Sequence, residues 1–245
     1  MIYLFLFLLG LCFGSFVSAF SYRYLKGISI AKGRSFCPKC KNKISWFDNI
    51  PVLSFIFLGG RCRSCKKKIS LRDPMIELSS ALGFLVIGIY TLPDYVKTIY
   101  YLTIFVLLAI IFVTDLENQV IPDVFIFMGI VVTLGYFILI NPQSMFLPIF
   151  SGLLAASFLM LIHVVTKGQG MGLGDVKFAV LGGMIVGFDL LPIWILLAFL
   201  TGAIVGSILI LLRKARMKTK IAFGPFLIVS IVLALAFGKN ILWII

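Results

Sequence analysis

Charge is scarce in this chain. Only 13% of its 245 residues are charged and nine are acidic, whereas soluble domains carry about 25% charged residues. That shortage excludes a soluble core. The hydrophobic content is 61%, in runs that reach or approach the ~20 residues needed to cross a bilayer, so the chain reads as an all-α, multi-span membrane protein. The first apolar run has no basic stretch before it; Arg23 and Lys26 follow it instead, which excludes a cleaved signal peptide. Only loop 21–73 could supply a soluble basic domain with interleaved aromatics, so the net charge of +13 does not call for nucleic acid as a partner. Basic residues gathered at one membrane face meet anionic lipid there. The bundle 74–245 shows no convincing internal repeat and the chain has no low-complexity tail.

Eight apolar segments are expected, at about 2–20, 74–92, 98–114, 124–140, 147–165, 176–188, 190–212 and 222–244. The sixth is short and glycine-rich, and its separation from the seventh rests on Phe188–Pro192 alone. Lysine and arginine test the count. Alternation from a cytoplasmic loop 21–73 places twenty of the twenty-two basic residues on one side, with Lys97 and Lys239 opposite. Basic loops are retained in the cytoplasm. Eight spans satisfy that rule, while seven would put the Arg213–Lys220 cluster on the wrong side. Gly10, Gly14 and Ser18 recur at intervals of four in the first segment, a spacing suited to close packing against a neighbouring helix.

Loop 21–73 is too long for a bundle connector. Cys37-Pro-Lys-Cys40 and Cys62-Arg-Ser-Cys65 form two CxxC knuckles separated by 21 residues, close to the spacing of four-cysteine zinc sites. Two intervening residues turn both thiolates of a knuckle toward one ion, and two knuckles complete a closed Zn–S₄ site. Disulfides are the competing reading, disfavoured in a reducing cytoplasm. The fifth cysteine, Cys12, reads as buried apolar filler.

The nine acids can be weighed one by one. Asp73 before Pro74 reads as a helix N-cap, and Asp123 as the cap of segment four. Glu77 lies one turn inside segment two, serving either the helix dipole or a cytoplasm-facing pocket. Glu117 reads as solvated, and the lone His163 as packing or snorkelling. Asp115 closes segment three in IIFVTDLENQVIPD, and Asp175 opens segment six after GQGMGLG. Ionisable groups at membrane depth are costly and mostly functional, which makes Asp115 and Asp175 the candidates. Facing carboxylates share a proton, one acting as base and one as acid, as in aspartic proteases. The glycines beside Asp175 would let a substrate backbone come close. Their GxGxGxG spacing suggests a phosphate cradle, but no strand precedes it as the dinucleotide motif requires.

Taken together these residues resemble the type IV prepilin peptidases, bifunctional leader peptidase and N-methyltransferase enzymes of bacteria. The resemblance runs through Gly14-Ser15-Phe16, Ser35-Phe36-Cys37-Pro38-x-Cys40, Asn49-Ile50-Pro51, Gly60-Arg61-Cys62-Arg63-x-Cys65, Thr114-Asp115, Ile121-Pro122-Asp123, Gly172-Leu173-Gly174-Asp175 and Phe223-Gly224-Pro225-Phe226. Where the family often has Tyr-Pro before its glutamate, this chain has Asp73-Pro74. The resemblance implies Asp115 and Asp175 as the catalytic pair, and prepilins or pseudopilins as substrates, cut at the cytoplasmic face after a glycine. It also implies S-adenosylmethionine as methyl donor for the new N-terminus, although loop 21–73 carries no cofactor fingerprint of its own.

The expected organisation is a first transmembrane helix (1–20), a cytoplasmic zinc-binding domain with the methyltransferase part (21–73), and a transmembrane aspartic peptidase bundle (74–245) in the bacterial inner membrane. An ion or small-solute transporter with a zinc-bound regulatory loop is the alternative, and a non-enzymatic zinc-ribbon scaffold a third.

Overall fold

A computed structural model describes residues 1–29, 33–214 and 221–242. Lys32, residues 215–220 of the expected basic cluster and the end of the eighth segment past residue 242 lie outside them. The helices are α1 (Ile2–Leu25), α2 (Leu53–Phe57), α3 (Arg72–Thr91), α4 (Tyr95–Asn118), α5 (Asp123–Ile140), α6 (Phe146–Val165), α7 (Leu173–Val186), α8 (Leu191–Leu211) and α9 (Gly224–Leu242). No strand occurs among the described residues, only the isolated bridges Phe36↔Lys43 and Arg61↔Lys68. The eight long helices correspond to the eight expected segments. Among the described residues six of them, α1, α3, α4, α5, α6 and α8, are long and apolar enough to cross a membrane. The break between α7 and α8 begins at Gly187, with φ +79°, one residue ahead of the expected Phe188–Pro192, and α8 already starts at Leu191.

The chain divides into two compact units, Met1–Ile110 and Ile111–Ile245. In the first, α1 packs along α3 by the small residues read from the sequence. A Cβ on Gly14 would stand 2.6 Å from the Glu77 Cα, and one on Gly10 2.7 Å from the Ala81 Cα. Such backbone proximity is the main source of helix association where lipid is as apolar as the side chains. Ser18 extends the seam with polar bonds. Its hydroxyl donates to Asp73 and accepts from Arg72, whose other amino group reaches Ser21 at 2.6 Å. Asp73 is therefore not the cap of α3: the helix starts at Arg72 with Leu71 as N-cap, and the carboxylate turns to this cluster instead. The same bonds accompany the extension of α1 to Leu25, past its expected end at residue 20.

Cys12 is exposed on α1 rather than buried. A free cysteine behaves as a small hydrophobe, and in a membrane helix an apolar residue can face lipid as readily as a core.

In the second unit, α7 packs against α5, α6 and α9, and ten of its fourteen residues are buried. At about 1.5 Å per residue it covers only ~21 Å, short of a ~30 Å hydrocarbon layer. Its neighbours, not lipid, supply its surroundings. Its backbone comes close to that of α6, where a Cβ on Gly183 would lie 2.8 Å from the Gly152 Cα. Ser151 donates its hydroxyl to the Gly183 carbonyl at 2.8 Å. Trp194 of α8, fully buried, donates its indole N–H to the Leu227 carbonyl of α9 at 2.9 Å.

Candidate active site

Asp115 sits in the last turn of α4 and Asp175 in the first turn of α7. Their residues are 4% and 8% exposed. The glycine loop before Asp175 is held from behind. His163, expected only to pack or snorkel, donates a ring N–H to the Met171 carbonyl at 2.7 Å, and the Thr166 hydroxyl accepts the Gly170 N–H at 3.1 Å. Gly168 has φ +75°, a conformation costly for residues with a Cβ. The loop ends at Gly172, the N-cap of α7, whose N–H donates to Asp175 Oδ2 at 3.2 Å. Asp175 thus occupies the N3 position of a capping arrangement, which fixes its rotamer.

Three elements meet around the two acids. Gly224, the first residue of α9, turns its amide toward the Asp115 carboxylate, and a Cβ there would stand 2.6 Å from Asp115 Oδ2. The same position is 3.2 Å from Ile121 Cδ1, while a Cβ on Gly174 would be 3.3 Å from Ile121 Cβ. Ile121, in the connection between α4 and α5, is therefore seated between the glycines that adjoin each acid. Asp115 and Asp175 are close enough for the charge of one to act on the other. Among the described residues, Asp115 Oδ2 is the buried side-chain oxygen or nitrogen without a hydrogen-bond partner; the Gly224 amide faces the carboxylate without closing a bond to that atom. A buried acceptor left unpaired costs about 1–3 kcal/mol. Such an atom is placed to receive a water molecule, a proton or a substrate group.

Asp123 was expected to cap α5, but the N-cap is Pro122 without a side-chain bond. Its carboxylate instead pairs with Lys177 at 2.7 Å, joining the starts of α5 and α7 two residues beyond Asp175. Glu117 is exposed, as expected. Gly224 and Ile121 fall within motifs of the sequence but carry no local sign of a role. The signals present were Phe223-Gly224-Pro225-Phe226 and Ile121-Pro122.

Glu77, in the first unit, is 8% exposed and accepts the Val52 N–H at 2.7 Å. Val52 has φ +61°, a strained position for a β-branched residue. The buried carboxylate holds this turn after Asn49-Ile50-Pro51 against α3.

The four knuckle sulfurs, of Cys37, Cys40, Cys62 and Cys65, all lie within 4.8 Å of one another, and none forms a disulfide. Tetrahedral zinc with Zn–S bonds of about 2.3 Å sets sulfurs about 3.8 Å apart, so the donor set fits one ion. The amides of Cys65 and Ser64 bring the Cys62 thiol down to about 7. At Cys40 the Asn42 amide acts in the same direction, but burial and the other three sulfurs outweigh it and push the thiol up to about 11.

The knuckles are also copies of one another, which the sequence reading missed beyond the cysteines. Ser35-Phe36-Cys37-x-x-Cys40-Lys41-x-Lys43-Ile44-Ser45 recurs as Gly60-Arg61-Cys62-x-x-Cys65-Lys66-x-Lys68-Ile69-Ser70. The backbone bonds recur with it: Cys37 N–H to Asn42 and Cys62 N–H to Lys67, both at 2.9 Å, and Ile44 N–H to Ser35 and Ile69 N–H to Gly60, both at 2.8 Å. Lys41 and Lys66 share a positive φ at the turn. Asp48 binds across to the second copy by two bonds to Arg63, at 2.8 and 2.7 Å, and Arg63 holds its carboxyl below the usual range.

Residues 8–91 match the Bacterial Peptidase A24 N-terminal domain, and residues 102–207 match the Type IV leader peptidase family. The chain is similar to a prepilin leader peptidase/N-methyltransferase of Aeromonas salmonicida, 35% identical over 219 residues, covering 85% of this chain and 72% of the relative. A protein of the same description from Pseudomonas aeruginosa is 35% identical over 212 residues, with 84% and 72% covered. Another from Legionella pneumophila is 32% identical over 224 residues, with 85% and 74% covered. No solved structure matches the chain.

Proposed function

Because this chain belongs to the type IV leader peptidase family, we propose that it is a membrane aspartic endopeptidase that removes the leader of prepilins or pseudopilins, and that it N-methylates the new N-terminus with S-adenosylmethionine. Asp115 and Asp175 are the acid–base pair. The ionised member takes a proton from water as the water oxygen attacks the scissile carbonyl carbon. The protonated member donates to the carbonyl oxygen, giving a tetrahedral diol. On collapse the C–N bond breaks and a proton passes from the dyad to the leaving amine. The unpartnered, buried Oδ2 of Asp115 beside Asp175 is the observation that carries this reading. Gly224 lets the start of α9 pack directly against the Asp115 carboxylate, and Ile121 packs against both Gly224 and Gly174.

Cys37, Cys40, Cys62 and Cys65 would hold zinc as a closed structural site, which supplies folding free energy to a domain too small for a large core. S-adenosylmethionine supplies an electrophilic methyl group. The functional division is a first helix (1–20), a zinc domain (21–73) and a peptidase bundle (74–245), with zinc loop and dyad on the cytoplasmic side of the inner membrane. Neither the site nor these relatives support the transporter.

The test is mass spectrometry of a prepilin incubated in detergent with the protein and S-adenosylmethionine, where leader loss and methyl gain are separate mass changes. Asp115→Asn and Asp175→Asn should each lower cleavage by at least about 100-fold, the lower end of acid–base contributions, while the variants remain inserted. Normal cleavage by either variant rejects the dyad.

A further inference from the structure

The stretch between the two knuckles, residues 46–57, is rich in apolar side chains within an otherwise basic loop, and it turns many of them outward. Trp46 is 75% exposed and Phe57 85%. Within α2, Leu53, Ile56 and Phe57 share one face at the i, i+3, i+4 spacing, and all three are exposed, while Phe55 turns onto Gly60. The single turn Trp46–Asn49 packs on α2, so the two move as one piece. Exposed apolar clusters of this kind mark a protein partner or a membrane.

The depth of the segment decides between them. The Glu77 carboxylate accepts both the Val52 N–H and the Ser15 hydroxyl. Ser15 lies ten residues before the end of α1 at Leu25, about 15 Å along the axis at 1.5 Å per residue. The 24 residues of α1 cover about 36 Å, about 6 Å more than a ~30 Å hydrocarbon layer. Even with all of that excess on this side, Ser15 lies about 9 Å below the boundary. Val52 is bonded to the same carboxylate, so the tip of the segment reaches down beside α1 and α3 instead of standing in water above them. At that level α1 itself exposes Phe13 and Phe16.

The two ends of the segment are drawn together by the four sulfurs, all within 4.8 Å of one another, which makes it a finger with a closed base and a bonded tip. Lysines crowd that base: Lys39, Lys41 and Lys43 in the first knuckle, Lys66, Lys67 and Lys68 in the second. Apolar and tryptophan side chains below, with lysines above, is the pattern of an element lying in the interface of a bilayer, where basic groups meet anionic headgroups.

We propose that residues 46–57 are a membrane-interfacial anchor, with Trp46, Leu53, Ile56 and Phe57 seated at the boundary of headgroups and acyl chains. The occupant of this face is the phospholipid bilayer that the helices span. The anchor is independent of both the hydrolytic and the methyl-transfer readings. Its consequence is mechanical: the zinc domain is moored at three points, α1, α3 and the finger, and lies against the membrane instead of swinging on its two tethers.

The experiment uses the zinc-loaded, full-length protein in vesicles of phosphatidylethanolamine and phosphatidylglycerol whose acyl chains carry bromine at a shallow or a deep carbon. Tryptophan fluorescence is read, and the contribution of Trp46 is the difference between the wild type and Trp46→Phe. That contribution should be blue-shifted, quenched more by shallow than by deep bromines, and shielded from aqueous acrylamide. Phe57→Asp, at an exposed position, should weaken the bromine quenching of Trp46 at least about twofold, because a carboxylate resists entering lipid, with zinc per molecule retained. A Trp46 signal that acrylamide reaches freely and brominated lipid leaves untouched overturns the anchor. Bromine quenching that Phe57→Asp leaves at wild-type strength does the same. A blue shift that appears only on adding a prepilin, or only at high protein-to-lipid ratio, also overturns it and assigns the face to substrate or to a second copy of the chain.

Discussion

At the scale of single residues, the acids were legible because they are few. A carboxylate in a run such as IIFVTD stands out against its neighbours, and the cost of burying it demands a reason. Gly224 did not stand out, since a glycine before a proline reads as an ordinary helix start. Its significance comes from the approach of α9 to Asp115, which no local pattern encodes. The substitution Gly224→Ala places a methyl group 2.6 Å from Asp115 Oδ2, inside any real contact distance. Displacing a reacting group by an ångström costs roughly 100-fold, so leader cleavage should fall by about that factor with helicity by circular dichroism unchanged. Asp123 was misjudged for a related reason: a cap is a local expectation, and its partner Lys177 lies on another helix.

At the scale of elements, the helix count followed from hydropathy, and the two glycine seams behave differently in sequence. Gly10, Gly14 and Ser18 announce themselves by their spacing, whereas Gly152 and Gly183 sit on separate helices with no shared period. The latter pair is the tighter constraint on the site, because it seats α7 and therefore Asp175. Gly183→Val should force α6 and α7 apart and lower both melting temperature and cleavage, with zinc per molecule unchanged. The knuckles make a distinct prediction. With Cys62 near 7 and Cys40 near 11, the four sulfurs cannot all be ionised at neutral pH unless a cation is present. Protons and metal therefore compete. Zinc release to a coloured chelator should accelerate as pH falls from about 8 to about 5, as the thiolates are reprotonated. Release that quickens with rising pH would contradict a thiolate site.

At the scale of the whole molecule, the distribution of lysine and arginine was the most informative number in the sequence, since it tested the count of segments against a physical rule. It makes a prediction for the intact membrane. Trypsin should cut within loop 21–73 in inverted vesicles and leave it whole in sealed right-side-out ones; the opposite pattern would reverse the proposed orientation. What the sequence could not convey is which helix is enclosed. α7 was marked only as short and glycine-rich, and its near-complete burial depends on α5, α6 and α9 together. That enclosure bears on how the protein is made. A segment of fourteen residues carrying an aspartate and a lysine gains little from partitioning into lipid on its own, so the translocation machinery has weak reason to release it there. It must wait for company, and α9, which brings Gly224 to Asp115, is the last of its neighbours to leave the ribosome. The hydrolytic centre should therefore remain unassembled throughout nearly all of translation, and a nascent chain halted before residue 224 would be inserted yet inert.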